Sequence, residues 1–269
     1  MVIELGDFRC AYERVGQGPD LTLLHSVGLS TREGWRYQIP ALAERFTVLS
    51  FDFRGLGESS RGNAPLGVAS FVRDLAALLK ALGISRTAVM GISLGGFVAQ
   101  AFTLARPELV SALVLVSTTC RHLAANQARR RERNALVRKL GMQAAVDQQV
   151  DKQFAPEFAR ANPDVLAWYR AHYLANDPLH YAEVLDDLGH FNSCDELHTI
   201  TCPTLIVAGD ADTSVVAGRA PLDSARMLHG LIPGSELAVI AGARHYPQID
   251  HADAFNARVL SFLTAAMPA

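Results

Sequence analysis

No apolar run in this chain of 269 residues reaches the ~18 residues that a membrane-spanning helix needs, so no part of it is expected to cross a bilayer. Neither sign of charge dominates either: 25 basic residues stand against 27 acidic ones, for a net charge of −2. A chain without a global basic field has little to attract nucleic acid, and one without an acidic excess carries no polyanionic tail. Cysteine is scarce. Cys10, Cys120, Cys194 and Cys202 lack the close pairing of a metal site and read as free thiols in a reducing compartment. The opening MVIELGDFRCAYERVG has no basic segment leading into an apolar stretch, so no signal peptide is expected. Together these absences imply a cytoplasmic protein. Also missing are a G-x-G-x-x-G at a strand-to-helix turn, a P-loop and a cluster of metal ligands, so neither a cofactor nor a metal is expected. There is no internal repeat and no low-complexity linker. The expected partner is a small molecule, and homo-oligomerisation is left open.

What is present is apolar and rhythmic. Hydrophobic residues make up 49% and charged residues 19%, which suits a large core and argues against disorder. Short apolar runs begin at Leu21, Thr47, Thr87, Ala112, Thr204 and Glu236. Their unbroken apolarity fits strands buried on both faces, as parallel sheets require. Helical patterns fill the gaps. From Val68 to Leu82 one stripe holds Phe71, Leu75, Leu78 and Leu79; Gly95 to Ala105 and Asp253 to Ala265 follow. This alternation predicts an α/β fold, a mostly parallel central sheet with helices on both faces. Phe8 to Val15 is expected as an antiparallel strand at the edge. Between about Arg121 and Thr201 no strand pattern appears, and Trp168, Tyr169, His172, Tyr173, Tyr181 and Phe191 are scattered through it. The expected organisation is a core of residues 1–120 and 202–269 with a helical cap at 121–201.

Three strand ends carry chemistry. Gly91-Ile92-Ser93-Leu94-Gly95 is a G-x-S-x-G between an apolar strand and a helix. Such a turn forces the serine into a strained backbone conformation, and small residues two before and two after it let neighbouring backbone come close. Ser93 is therefore the candidate nucleophile. After the strand Thr204 to Val207, both Asp210 and Asp212 are placed to act as the acid; Asp212 is preferred, with Asp210 as a turn residue. His245 follows the last strand and completes the order Ser…Asp…His. The base would take the serine proton, and the acid would fix its tautomer and stabilise the imidazolium. Backbone N–H groups of Val27, in the loop His25-Ser26-Val27-Gly28, and of Leu94 are the candidate oxyanion donors. His25 reads as a brace for that loop and, with Trp168 and Tyr173, as a candidate contact for substrate. Arginines at 129, 130, 131, 133 and 138 form either a solvated helix face or a site for an anionic substrate.

With these motifs in place, the chain resembles the α/β-hydrolase superfamily over its whole length. Asp52-Phe53-Arg54-Gly55-Leu56-Gly57-Glu58-Ser59 is similar to the D-x-R-G-x-G-x-S loop of that family, and Pro203 to Gly209 to its segment leading to the acid. Within it, Gly141 to Asp147, Phe154 to Phe158, Asp195-Glu196-Leu197 and Ala254 to Leu263 look most like 3-oxoadipate enol-lactonases. The resemblance implies a serine hydrolase acting on a small ester or lactone through an acyl-enzyme. Cleavage of a carbon–carbon bond, a cofactor-free oxygenase or lyase, and a ligand receptor with a retained triad stay open on the same fold.

Overall fold

The computed structural model describes residues 1–122, 127–146, 153–213 and 220–268, without the side chains of 127 and 129. Eight strands form one sheet: β1 (Val2–Leu5), β2 (Phe8–Val15), β3 (Asp20–Leu24), β4 (Thr47–Phe51), β5 (Thr87–Ile92), β6 (Val110–Val116), β7 (Thr204–Gly209) and β8 (Glu236–Ile240). Their order is β1-β2-β4-β3-β5-β6-β7-β8. The first two strands run antiparallel, β2 pairs antiparallel with β4, and every later pairing is parallel. The expected edge strand, Phe8–Val15, lies one place in from the edge. Val2–Leu5 covers it, a four-residue segment whose exposed residues give no apolar run to read.

Among the described residues the helices include α1 (Thr31–Gly34), α2 (Gln38–Ala43), α3 (Val68–Ala81), α4 (Leu94–Ala105), α5 (Gln127–Leu140), α6 (Pro156–Ala161), α7 (Pro163–Leu174), α8 (Pro178–Leu188), α9 (Pro221–Leu231), α10 (Pro247–Asp250) and α11 (Ala252–Ala266). The central strands β5 and β7 are buried at every position, which is why they read as continuous apolar runs. In α3 the buried residues include Phe71, Leu75, Leu78 and Leu79, the stripe seen in the sequence.

Helices α5 to α8 lie between β6 and β7 in the chain, and several polar contacts seat their segment on the rest of the protein. Glu183 receives two hydrogen bonds from Arg61 and one from the Leu66 N–H. Asp187 accepts from the Val68 N–H, at the start of α3, where a carboxylate also complements the helix dipole. The Asn176 amide donates to the carbonyl of Gly28, and the Trp168 indole donates to Glu33 at 2.9 Å.

The expectation of four free thiols is corrected. Cys120 and Cys194 are joined in a disulfide, with α-carbons 5.0 Å apart and 74 positions between them; Cys10 and Cys202 are free. Cys120 lies just beyond β6 and Cys194 is on the chain's return from α8, so the bond ties together the two ends of the helical segment. No local spacing could announce a pair that only the fold brings together. The cysteine argument for a reducing compartment therefore loses its support. Among the described residues no helix is long and apolar enough to cross a membrane.

Candidate active site

Ser93 sits between β5 and α4 with φ 51° and ψ −111°, outside the regions that side chains other than glycine favour. The flanking glycines explain how such a turn can exist. A β-carbon on Gly91 would lie 2.2 Å from the Gly95 carbonyl oxygen, and one on Gly95 would lie 2.3 Å from the Leu24 carbonyl oxygen. Both contacts are with backbone, which cannot swing away. The turn is also held by the Ser93 N–H, which donates to Val116 on the neighbouring strand at 3.0 Å. Leu94 is the first residue of α4, where N–H groups lack partners within the helix.

Asp212 and His245 come from loops after the neighbouring strands β7 and β8. The His245 Nδ1 stands 3.0 Å from Asp212 Oδ2, and the carboxylate is wholly buried. Asp210 has another occupation: its Oδ1 accepts the Gly242 N–H at 2.7 Å, holding the β7 and β8 loops together. The structure thus separates the two aspartates that sequence position alone left open. One contacts the histidine, while the other makes a turn.

His25 is buried among backbone partners. Its Nδ1 is 2.6 Å from the Ser26 carbonyl oxygen, so that nitrogen carries the proton, and its Nε2 accepts the Phe53 N–H at 3.0 Å. Burial, opposed by the charge of Asp52, lowers its pKa and so keeps the ring neutral. These contacts describe a brace between the loop after β3 and the loop after β4. That second loop is itself anchored by Asp52, which accepts from Thr31 and Glu58 N–H groups, and by the two short bonds of Arg54 to buried Asp74, both 2.6 Å. The D-x-R-G-x-G-x-S segment is scaffolding for the strand-end loops.

Tyr173 and Trp168 part company. Tyr173 is buried directly over the loop after β3: a β-carbon on Gly28 would fall 1.9 Å from its ring. Its hydroxyl is 2.6 Å from that of Tyr181. Trp168 is only partly buried; it bonds Glu33 and lies under the Arg36 guanidinium at 4.6 Å, on the outer seam of the helical segment.

Two side chains gave no signal in the sequence. Tyr246, next to His245, places its hydroxyl 2.9 Å from Ser26 Oγ, and its ring packs on Phe154 and Tyr169. It thereby joins the histidine loop, the loop after β3 and the helical segment. Burial raises the phenols of Tyr169, Tyr173 and Tyr246, the last to about 12, so all three stay uncharged at neutral pH. Asp250 is the second: it accepts the N–H groups of Ala155 and Arg244, so it too holds the helical segment to the histidine loop. Adjacency to His245 is the one feature that could have suggested Tyr246, and nothing in the sequence sets Asp250 apart. Among the described residues no group of three or more histidine, cysteine or acidic side chains could hold a metal ion.

The arrangement can be set beside known proteins. Residues 21–252 match the family described as alpha/beta hydrolase fold. The chain is 34% identical over 271 residues to the polyketide synthase ThaQ of Burkholderia thailandensis, covering 98% of this chain but only 13% of that protein. It is 31% identical over 252 residues to the putative carbamate hydrolase RutD of Klebsiella pneumoniae, covering 90% of this chain and 91% of that one. Among solved structures, a thermophilic esterase from Thermogutta terrifontis superposes with a TM-score of 0.90 at 25% identity, over 99% of both chains. The enol-lactonase from Burkholderia xenovorans superposes with a TM-score of 0.88 at 25% identity, over 98% of this chain and all of that one.

Proposed function

The chain belongs to the α/β-hydrolase family, and from that premise we propose that it is a serine hydrolase of small esters or lactones, with Ser93 as nucleophile, His245 as base and Asp212 as the acid that orients it. The single observation carrying this reading is the 3.0 Å contact of His245 with a wholly buried Asp212, in loops that leave the same end of the parallel sheet as the strained Ser93 turn. His245 takes the hydroxyl proton as Ser93 attacks the substrate carbonyl, and Asp212 stabilises the imidazolium that forms. The tetrahedral oxyanion is received by the N–H groups of Val27 and Leu94; losing one such donor typically costs ~3–4 kcal/mol. Collapse of the intermediate expels the alcohol, protonated by His245, and water activated by the same histidine hydrolyses the acyl-enzyme. Residues 121–201 act as a cap, and Tyr173 above Gly28 is its contribution to the substrate cavity.

The enol-lactonase and esterase neighbours support the carbonyl chemistry. A carbamate is the second reading, favoured by the 31% identity to the putative carbamate hydrolase. Incubation with a fluorophosphonate should abolish hydrolysis of a short-chain aryl ester and add its mass to the peptide holding Ser93. Mass found only elsewhere, with activity lost, overturns the assignment. Comparing an aryl acetate with the matching aryl carbamate then decides between the two substrate classes.

A further inference from the structure

Between α5 and α8 lies a cavity of about 380 Å³. Three arginines, Arg130, Arg131 and Arg138, line it together with Asp186 and His190. Asp186 is the one carboxylate among the described residues lining it, and it is already engaged, accepting from Asn134 and from Arg138. Three guanidiniums against one carboxylate leave a surplus of two positive charges. The expectation of a solvated arginine face fails for Arg130 in particular. One of its terminal nitrogens donates to the Leu185 carbonyl oxygen, and the other, Nη1, is buried with no acceptor. Burial, helped by the neighbouring Arg133 charge and opposed by Asp186, pulls Arg130 down to about 10. A guanidinium held out of water with an unanswered donor is costly, and an arriving anion relieves that cost. The side chain of Arg129 lies outside the described residues.

We propose that this cavity is a binding site, separate from Ser93, Asp212 and His245, for a small soluble phosphomonoester. The charge surplus of two matches a phosphomonoester dianion, and tetrahedral phosphoryl oxygens can accept from arginines converging from several directions, whereas a carboxylate offers two coplanar acceptors. The volume lies in the range of small-molecule sites, roughly 300–1,000 Å³, leaving room for an organic group beyond the phosphoryl. The site shares no residue with the proposed triad and stands whether or not that reading does. It is linked to the nucleophile helix through His122, which feels Arg130 and Arg133 on one side and stacks on Phe97 of α4 on the other, with ring centroids 5.3 Å apart.

Calorimetric titration of the purified protein with glycerol 3-phosphate at low salt tests this, with glycerol and succinate as comparison ligands. Saturable binding of the phosphomonoester is expected, with succinate at least tenfold weaker and glycerol silent. Arg130→Met and Arg138→Met should each weaken it at least tenfold, and protein blocked at Ser93 by a fluorophosphonate should bind as before. Arg131→Met, at an exposed position, provides a third variant should Arg130→Met fail to fold. No binding, affinity unchanged in the arginine variants, loss of binding on blocking Ser93, or equal affinity for succinate would each overturn the proposal.

Discussion

Replacing Asp212 by Asn, with Asp210→Asn as its partner experiment, probes the assignment of the acid. Asp212 is wholly buried and stands 3.0 Å from His245 Nδ1. In the proposed mechanism His245 takes the serine proton, and the new positive charge meets the carboxylate at that distance. At an effective dielectric of about 20 the attraction is roughly 5 kcal/mol. It arises only as the transition state is approached, so its loss falls on kcat. At 1.36 kcal/mol per tenfold, that is about four powers of ten, the size found when the corresponding carboxylate is neutralised in other serine hydrolases. The isosteric amide keeps the packing, so the fold should survive. Asp210 is exposed and supplies an oxygen to the Gly242 N–H, which an asparagine oxygen can also supply. Asp210→Asn should therefore stay within about threefold of the parent, by the modest worth of one such hydrogen bond. The assay is hydrolysis of a chromogenic short-chain ester under saturation, with circular dichroism to verify folding. Equal losses in both variants, or a larger loss at 210, would refute the reasoning.

Gly95→Ala puts a β-carbon 2.3 Å from the Leu24 carbonyl oxygen and 2.9 Å from that of His25, so the melting temperature should fall by the equivalent of about 1–3 kcal/mol and ester hydrolysis should largely vanish; a fully active variant would contradict the close approach. Joint replacement of Cys120 and Cys194 by Ser removes a cross-link spanning 74 positions and should cost at most roughly 4.5 kcal/mol by chain entropy, measured by urea unfolding without reductant; an unchanged midpoint would count against the bond. His122 is pulled down to about 3 by burial, with Arg130 and Arg133 adding to it. Below its unfolded value near 6.5 the unfolded chain binds the proton and the native one does not. Stability present above pH 6.5 is therefore lost as pH falls, roughly 2 kcal/mol by pH 5. His122→Phe should flatten that acid limb in melting experiments, and an equally steep limb in the variant would exclude His122 as its source.

Much of this protein was legible in one dimension because the relevant physics is local. Strands buried on both faces must be apolar throughout, so β3 to β7 announce themselves, and a strained serine turn needs its glycines at fixed offsets, so Gly91, Ser93 and Gly95 could be read together. The chain order Ser93, Asp212, His245 follows from which strand ends feed one face of a parallel sheet. Tertiary structure decided whatever depends on partners distant in sequence. Asp210 and Asp212 look alike until the β8 loop arrives and offers an N–H to one and an imidazole to the other. Cys120 and Cys194 become a pair only when the chain has gone out through α5 to α8 and returned. Tyr173 and Trp168 share a helix, yet its seating puts one over Gly28 and the other on an outer seam. A side chain's type is written in the sequence. Its burial and its neighbours are set only when separate segments pack, and those determine whether an arginine is solvated, as a charge run suggests, or half-buried with an unmet donor, as Arg130 is.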